Sequence, residues 1–132
     1  MVFETLQTIT RSIGDHADRA AVLALSRERA ARWTYRALSE HVRRLAAGLA
    51  DAGIERSEPV TLFAPNRPEW IGAALAILDL RGVLVLIDAQ ARGDELAHYL
   101  NDSGSRHVFT VRTHADRLAV STPPAGRCAA ST

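Results

Sequence analysis

The sequence predicts an α/β fold in which an N-terminal helix and a β-hairpin precede a partial, doubly wound parallel sheet. Residues 60–64, 83–87 and 107–111 are short, mainly apolar runs without strict alternation, which is typical of parallel strands buried on both faces. Helical patterns with short connections separate these runs, so we expect the order βαβαβ with two right-handed crossovers. The length of 132 residues, with 47% hydrophobic and 23% charged residues, fits one globular domain. Because such sheets usually need more strands and helices to cover both faces, the predicted sheet is incomplete.

The first part of the chain predicts a helix followed by a hairpin. Apolar residues at helical spacing predict an amphipathic helix over residues 2–13 that ends near Gly14. Residues 21–25 and 32–35 predict two strands, joined by the polar turn 26–29. The residues expected on the apolar face of the helix are Phe3, Leu6, Ile9 and Ile13.

Residues 36–52 carry the most regular helical pattern of the sequence. Thr34 is placed to cap this helix, and Gly53 is placed to end it because glycine adopts positive φ freely. Glu40 stands four residues before Arg44, in the favourable order for an ion pair on a helix. The expected buried stripe consists of Leu38, Val42, Leu45, Ala46 and Leu49.

The next helix is predicted over residues 67–81. Asn66 and Glu69 are spaced as in a capping box, and Pro68 falls in the first turn, where a missing N–H costs little. The helix is apolar around most of its circumference, so we expect it to pack on two sides. Gly82 is expected to close it.

A further helix is expected to begin near Asp94 and Glu95, with Gly104 after its end. Its inward-facing residues are predicted to be Leu96, Tyr99 and Leu100. Residues 114–119 predict one more turn of helix. The organisation predicted from these patterns is a domain over residues 1–119 and a disordered tail over residues 120–132, where little can be buried.

Composition excludes several classes of function. All 16 basic residues are arginine, so chemistry that needs a lysine of this chain is excluded. A net charge of +1 and an aromatic content of 5% argue against nucleic-acid binding. The single Cys128 forms no internal disulfide, no signal peptide is evident, and the longest apolar runs are far too short for a membrane span. We expect a soluble, cytoplasmic protein.

Two patterns could carry chemistry, and each has a simpler interpretation. Asp88 follows a predicted buried strand, where α/β sheets place ligand or phosphoacceptor carboxylates. We favour instead an aspartate that starts a loop and binds the following backbone. The pairs His16/Asp18 and His114/Asp116 could form a split metal site. We favour solvated turns, because nothing in the sequence brings the two pairs together.

The remaining candidate residues predict no site. His41 and His98 are expected at the surface or its boundary, and Arg43 with Arg44 is expected to be a solvated helical pair. Cys128 has no neighbouring histidine or basic cluster that would make it a nucleophile. No G-x-G-x-x-G sequence occurs, so a dinucleotide site is unsupported.

Four segments, taken in order, resemble the adenylate-forming enzymes, which include acyl-CoA synthetases and nonribosomal peptide adenylation domains. Residues 33–38 resemble the family motif L-T-Y-x-E-L, with Ala37 in place of the glutamate. Residues 64–70 are similar to a frequent connector, and residues 102–106 to a D-S-G-A-R turn. The match covers about residues 3–119.

The remaining segment, residues 78–88, resembles the family motif L-x-A-G-x-x-x-V-P-I-D. Leu80 and Arg81 stand where that motif has alanine and glycine, and Leu86 replaces its proline. In the family the two motifs found in this chain are mainly structural.

The resemblance implies the opening quarter of a ligase that activates a carboxylate with ATP and passes the acyl group to a thiol, as in fatty acid metabolism. ATP, Mg²⁺ and CoA are implied only for the whole family. The Ser/Thr/Gly-rich phosphate loop ending in Pro-Lys and the later motifs do not occur here. We therefore assign no catalytic, cofactor-binding or metal-binding residue to this chain and predict that it is inactive alone. The change to a tail rich in Ser, Thr, Pro and Ala suggests a truncated or frameshifted product.

Two other classes of function remain open. The chain could be a non-catalytic interaction or oligomerisation module that associates with itself or with a complementary protein segment, because an unfinished parallel sheet exposes strand edge and apolar surface. It could also be a small flavodoxin-like binding domain. Chromatography with light scattering distinguishes the first class, and a ligand-dependent thermal shift the second.

Overall fold

The computed structural model describes residues 5–26 and 30–121. Its elements are α1 (Leu6–Ser12), a 3₁₀ helix (Ile13–His16), β1 (Ala20–Leu25), β2 (Ala30–Thr34), α2 (Tyr35–Asp51), β3 (Pro59–Phe63), α3 (Pro68–Asp79), β4 (Val83–Leu86), α4 (Gly93–Ser103), β5 (His107–Thr110) and α5 (Arg112–Ser121). β1 and β2 form an antiparallel hairpin, and β3, β4 and β5 form a parallel sheet. The α/β fold class predicted from the sequence is confirmed.

The chain divides into two compact units. The hairpin–helix unit comprises the described residues within 1–56 and 66–81, and so contains α1, the hairpin, α2 and α3. The sheet unit comprises those within 57–65 and 82–132, and so contains the parallel sheet, α4 and α5. Among the described residues, no helix is long and apolar enough to cross a membrane.

α1 is shorter than predicted. The α-helix ends at Ser12, and a 3₁₀ helix continues through Gly14 to His16. Among the described members of the predicted apolar face, Ile13 is buried, whereas Leu6 and Ile9 are exposed. The buried residue of α1 is Thr10, whose hydroxyl donates to Asp79 Oδ1 at 2.9 Å and so joins α1 to α3. Phe3 lies outside the described residues.

α2 follows its prediction closely. The Thr34 hydroxyl accepts a hydrogen bond from the backbone N–H of Ala37 at 3.1 Å, which caps the helix. Gly53 adopts φ +87° after its end. Leu45 is half-buried, and the other members of the predicted stripe, Leu38, Val42, Ala46 and Leu49, are buried.

α3 packs on α1 and α2, but both of its predicted ends are wrong. The residue before the helix is Arg67 rather than Asn66, and its side chain makes no capping hydrogen bond. Glu69 instead accepts from Arg67 Nε at 2.9 Å, so the capping box does not form. At the other end Arg81, and not Gly82, adopts the left-handed conformation, with φ +59°.

The order of strands in the parallel sheet is β4-β3-β5. The central strand β3 is buried from Val60 to Phe63. The prediction of burial on both faces is wrong for β4, in which Val83 is 49% and Leu86 57% exposed. β5 alternates, with Val108 and Thr110 buried. Both are outer strands among the described residues, and a central strand is the one with neighbours on both sides.

α4 and α5 complete the sheet unit. Leu96 and Leu100 are buried as predicted, but Tyr99 is 40% exposed and donates to Glu95 Oε1 at 2.9 Å instead of pointing inward. Gly104 adopts φ +67° after α4, as expected. α5 spans ten residues, more than the one turn predicted. The core of this unit consists of Phe63, Ile87, Ala91, Leu96, Leu100, Val108 and Leu118.

Residues 120 and 121 of the predicted tail belong to α5. Its other residues, 122–132 with Cys128, lie outside the described residues.

Candidate functional site

The carboxyl end of the parallel sheet is the first place to look for a site. In open α/β sheets, ligands bind outside the carboxyl ends of the strands, where successive connections leave in opposite directions. The chain passes from the central β3 to β4 on one side and then to β5 on the other, so this point lies at the ends of β3 and β5. The residues that follow β3 and β5 are 64–67 and the start of α5, and the loop 87–92 follows β4 at the same edge of the sheet.

Asp88 begins the loop after β4 and is exposed. Its Oδ1 accepts from the backbone N–H of Gln90 at 2.8 Å, and its carbonyl accepts from the N–H of Ala91 at 2.9 Å. These are the hydrogen bonds that the loop-starting interpretation predicts. A carboxylate used to shape its own loop is a poor candidate for a ligand or phosphoacceptor.

His114 lies in the first turn of α5 and is only 7% exposed. Its Nε2 is 3.0 Å from the carbonyl oxygen of Ala89, and because a carbonyl only accepts, Nε2 carries the hydrogen. Its ring meets the Phe63 ring edge-on, at 5.1 Å between centroids. The prediction of a solvated turn is therefore wrong for His114.

Arg117, one turn further along α5, donates from Nη1 to the same Ala89 carbonyl at 2.9 Å. We call Ala89, His114 and Arg117 the Ala89 clamp. Two donors, one of them a guanidinium, hold this carbonyl, so the loop after β4 is fixed against α5. The clamp orders the backbone at the carboxyl end of the sheet. The sequence does not reveal it, because Ala89 lies 25 residues before His114 and 28 before Arg117.

The two His-x-Asp pairs do not form the metal site considered above. The His16 ring packs against that of Tyr35 at 5.0 Å, and Asp18 accepts from Arg36 Nε at 3.1 Å. These contacts lie in the hairpin–helix unit, whereas His114 and Asp116 belong to the sheet unit. Over residues 5–26 and 30–121, no three His, Cys, Asp or Glu side chains are grouped so as to hold a metal ion.

His41 lies in α2 at the boundary of the core, as predicted, but its environment is unusual. Nε2 is buried and has no hydrogen-bond partner in the described part of the chain. The ring meets the Trp33 ring edge-on at 4.9 Å between centroids. Burial, and then the charge of Arg44, lower the pKa of His41, and Glu69 partly opposes them.

The other predicted surface residues are exposed. These are His98, whose ring lies 5.9 Å from that of Tyr99, and the pair Arg43 and Arg44. Arg43 also borders a cleft of about 370 Å³ between α1, α2 and the end of α3, together with Arg11, Ser39 and Asp79. The cleft mixes two cations with one carboxylate, so it favours no single charge.

The described residues do not fit a nucleoside triphosphate or its Mg²⁺. A phosphate cradle needs consecutive backbone N–H groups aimed at one anion. After β3 the chain runs through Pro65 and Pro68, which have no N–H. After β4 the N–H of Gln90 is taken by Asp88. No lysine occurs in the sequence to contact a phosphate.

Comparison with known proteins gives a consistent result. The model of the family described as AMP-binding enzyme matches residues 9–130. The acetyl-coenzyme A synthetase of Rhodobacter capsulatus is 32% identical over 112 residues, which are 83% of this chain and 17% of that enzyme. The chain thus spans less than a fifth of the length of this relative.

Two solved structures share the fold. The Brucella canis acyl-CoA synthetase superposes with a TM-score of 0.83 at 20% identity, over 96% of this chain and 24% of that one. The N-terminal subdomain of Klebsiella oxytoca NpsA, in complex with 3-hydroxybenzoyl-AMSN, gives 0.79 at 21% identity, over 96% of this chain and 30% of that one.

Proposed function

We propose, since the chain belongs to the family of AMP-binding enzymes, that it forms an N-terminal scaffold part of an adenylate-forming acid–thiol ligase and is inactive alone. In the whole enzyme, a carboxylate oxygen would attack the α-phosphorus of ATP and release pyrophosphate. A thiol such as that of CoA would then attack the acyl carbonyl and release AMP. ATP, Mg²⁺ and CoA belong to that whole enzyme, which we place in the cytoplasm and in the metabolism of carboxylic acids such as fatty acids.

The observation that carries the proposal is the family match over residues 9–130, in a sequence that has no lysine and whose described residues form no phosphate cradle. The family-like segments found here have structural contacts. Thr34 caps α2, and Asp88 shapes the loop after β4. We accordingly propose that residues 1–119 belong to the N-terminal part of the AMP-binding domain.

Exchange of labelled pyrophosphate into ATP tests the claim of inactivity. We expect the purified chain to show no acid-dependent exchange with acetate or a fatty acid, whereas a full-length acetyl-CoA synthetase assayed in parallel does exchange. Acid-dependent exchange by a preparation free of contaminating full-length enzyme would overturn the claim.

A chimera tests the scaffold role. Residues 9–130 replace the matching segment of the Rhodobacter capsulatus enzyme, and we expect the folded chimera to keep exchange activity. A chimera that folds, as judged by circular dichroism, yet lacks exchange contradicts the scaffold role.

A second candidate function is self-association, and the surface of β4 favours it. Val83 and Leu86 are exposed, and among the described residues no strand pairs with β4 on the side away from β3. An uncovered apolar edge strand is a template for pairing with another chain. In this alternative the occupant is a second copy or a complementary protein segment.

Chromatography with light scattering tests this candidate. We expect a mass above that of the monomer, and we expect Leu86→Lys to restore the monomer by placing a charge on the edge strand. Leu25→Lys is the matched control, because Leu25 is 85% exposed on the hairpin. A monomeric wild type at every concentration, or equal effects of the two variants, rejects self-association through β4.

A further inference from the structure

The contact between α2 and α3 contains a space, next to Gly72, that the His41 side chain fills. Gly72 is buried in α3, and a Cβ added there would overlap His41 Cδ2 and lie 2.9 Å from Nε2. The His41 ring therefore occupies the volume that any larger residue at position 72 would take. Trp33 of β2 closes another side of the ring.

The buried nitrogen of this ring matters because the two protonation states differ in what they need. In neutral imidazole one nitrogen is a bare acceptor, whereas in the imidazolium both nitrogens carry hydrogens. Nε2 has no hydrogen-bond partner among the described residues. A charged N–H in that position would lose its hydration without gaining an acceptor, which is costly in a packed interior.

The surrounding charges compensate for this loss only in part. Arg44, on the same helix, disfavours the imidazolium, and Glu69 on α3 favours it. Arg67 already donates to the Glu69 carboxylate at 2.9 Å. Burial remains the largest cause of the lowered pKa of His41.

We propose that His41 is a proton-sensitive wedge: its protonation drives the ring from the space over Gly72 and loosens the contact between α2 and α3. The idea does not depend on the proposed function. Acidification would then relax the hairpin–helix unit, which is built around these two helices.

The direction in which stability changes with pH follows from proton linkage. Because the pKa of His41 is lower in the folded chain than in the unfolded one, the unfolded chain binds the extra proton first. The stabilisation is present above the pKa of an unfolded histidine, about 6.5, and is lost as the pH falls below it toward the folded pKa. The ratio of unfolding constants grows up to tenfold for each unit that separates the two pKa values.

Urea unfolding from about pH 7.5 to about pH 5 compares the wild type with His41→Leu. Across this range, we expect the unfolding constant of the wild type to rise several-fold relative to that of His41→Leu. His98→Gln, which removes an exposed histidine of α4, is the control and should follow the wild-type profile. Equal pH profiles for wild type and His41→Leu overturn the proposal.

A second measurement keeps the proposal testable if His41→Leu does not fold. Ring-proton NMR of the unmodified chain should give a titration midpoint for His41 below that of the same residue in the urea-unfolded chain. Hydrogen exchange of α2 and α3 amides, corrected for intrinsic rates, should speed up over the same pH range. Coincident midpoints, or exchange protection that does not change with pH, contradict the proposal.

Discussion

The turn from α3 to β4 and the turn from α4 to β5 meet the same conformational requirement with different residues. Each has one residue in the left-handed conformation, Arg81 at φ +59° in the first turn and Gly104 at φ +67° in the second. In both, the N–H of that residue donates to the carbonyl three residues earlier. Glycine takes this conformation without strain, whereas any residue with a Cβ pays about 1–2 kcal/mol.

Arg81 has a compensation that Gly104 does not need. Its Nε donates to Gln7 Oε1 at 2.7 Å, and Gln7 Nε2 donates to the backbone carbonyl of Asp79 at 2.8 Å. Gln7 thus links α1 both to the end of α3 and to the strained residue after it. One turn depends on backbone freedom and the other on a long-range side-chain bond.

The largest expected effect comes from removing that backbone freedom. We expect Gly104→Ala to lower the free energy of unfolding by about 1–2 kcal/mol, since the new Cβ meets no neighbour within 4 Å and only the conformation is penalised. Gly48→Ala is the matched control, because Gly48 lies in α2 with open space around it. The control should gain about 1 kcal/mol from helix propensity.

Urea unfolding of the two variants measures both values. Changes of opposite sign support the conformational explanation. A loss of stability in both variants would mean that glycine is favoured at both sites for another reason, and the contrast between the two turns would lose its basis.

The sequence predicted correctly those features that local signals determine. Thr34 and Gly53 mark the ends of α2 because capping and positive φ depend on adjacent residues only. Gly104 was predicted for the same reason. The hairpin and the three parallel strands followed from patterns of a few residues each.

The predictions were wrong where contacts between residues distant in the sequence determine the structure. Gly82 was predicted to end α3. Instead Arg81, the residue before it, takes the left-handed conformation and is supported there by its hydrogen bond to Gln7. The apolar run of β4 could not reveal that this strand lies beside only β3 among the described strands. His114 is buried because α5 places it against Phe63 and the Ala89 carbonyl, contacts that its neighbours in the sequence do not predict.

The smallest expected effect tests whether Arg81 is strained. The family-like segment 78–88 has arginine where the motif has glycine. Arg81→Gly relieves about 1 kcal/mol of left-handed strain and loses an exposed hydrogen bond of about 0.5 kcal/mol. We therefore expect a gain in the free energy of unfolding of about 0.5 kcal/mol. Urea unfolding at neutral pH measures it.

Arg81→Ala separates the two contributions, because it keeps the strain and loses the bond. We expect Arg81→Ala to destabilise the chain by about 0.5 kcal/mol, so that glycine ranks above arginine and arginine above alanine. If Arg81→Gly and Arg81→Ala lower the free energy of unfolding equally, the side-chain hydrogen bond alone sets the stability of this turn. The expected ranking of stabilities, with glycine first, instead means that Arg81 is strained. The hydrogen bond to Gln7 then offsets only part of that strain.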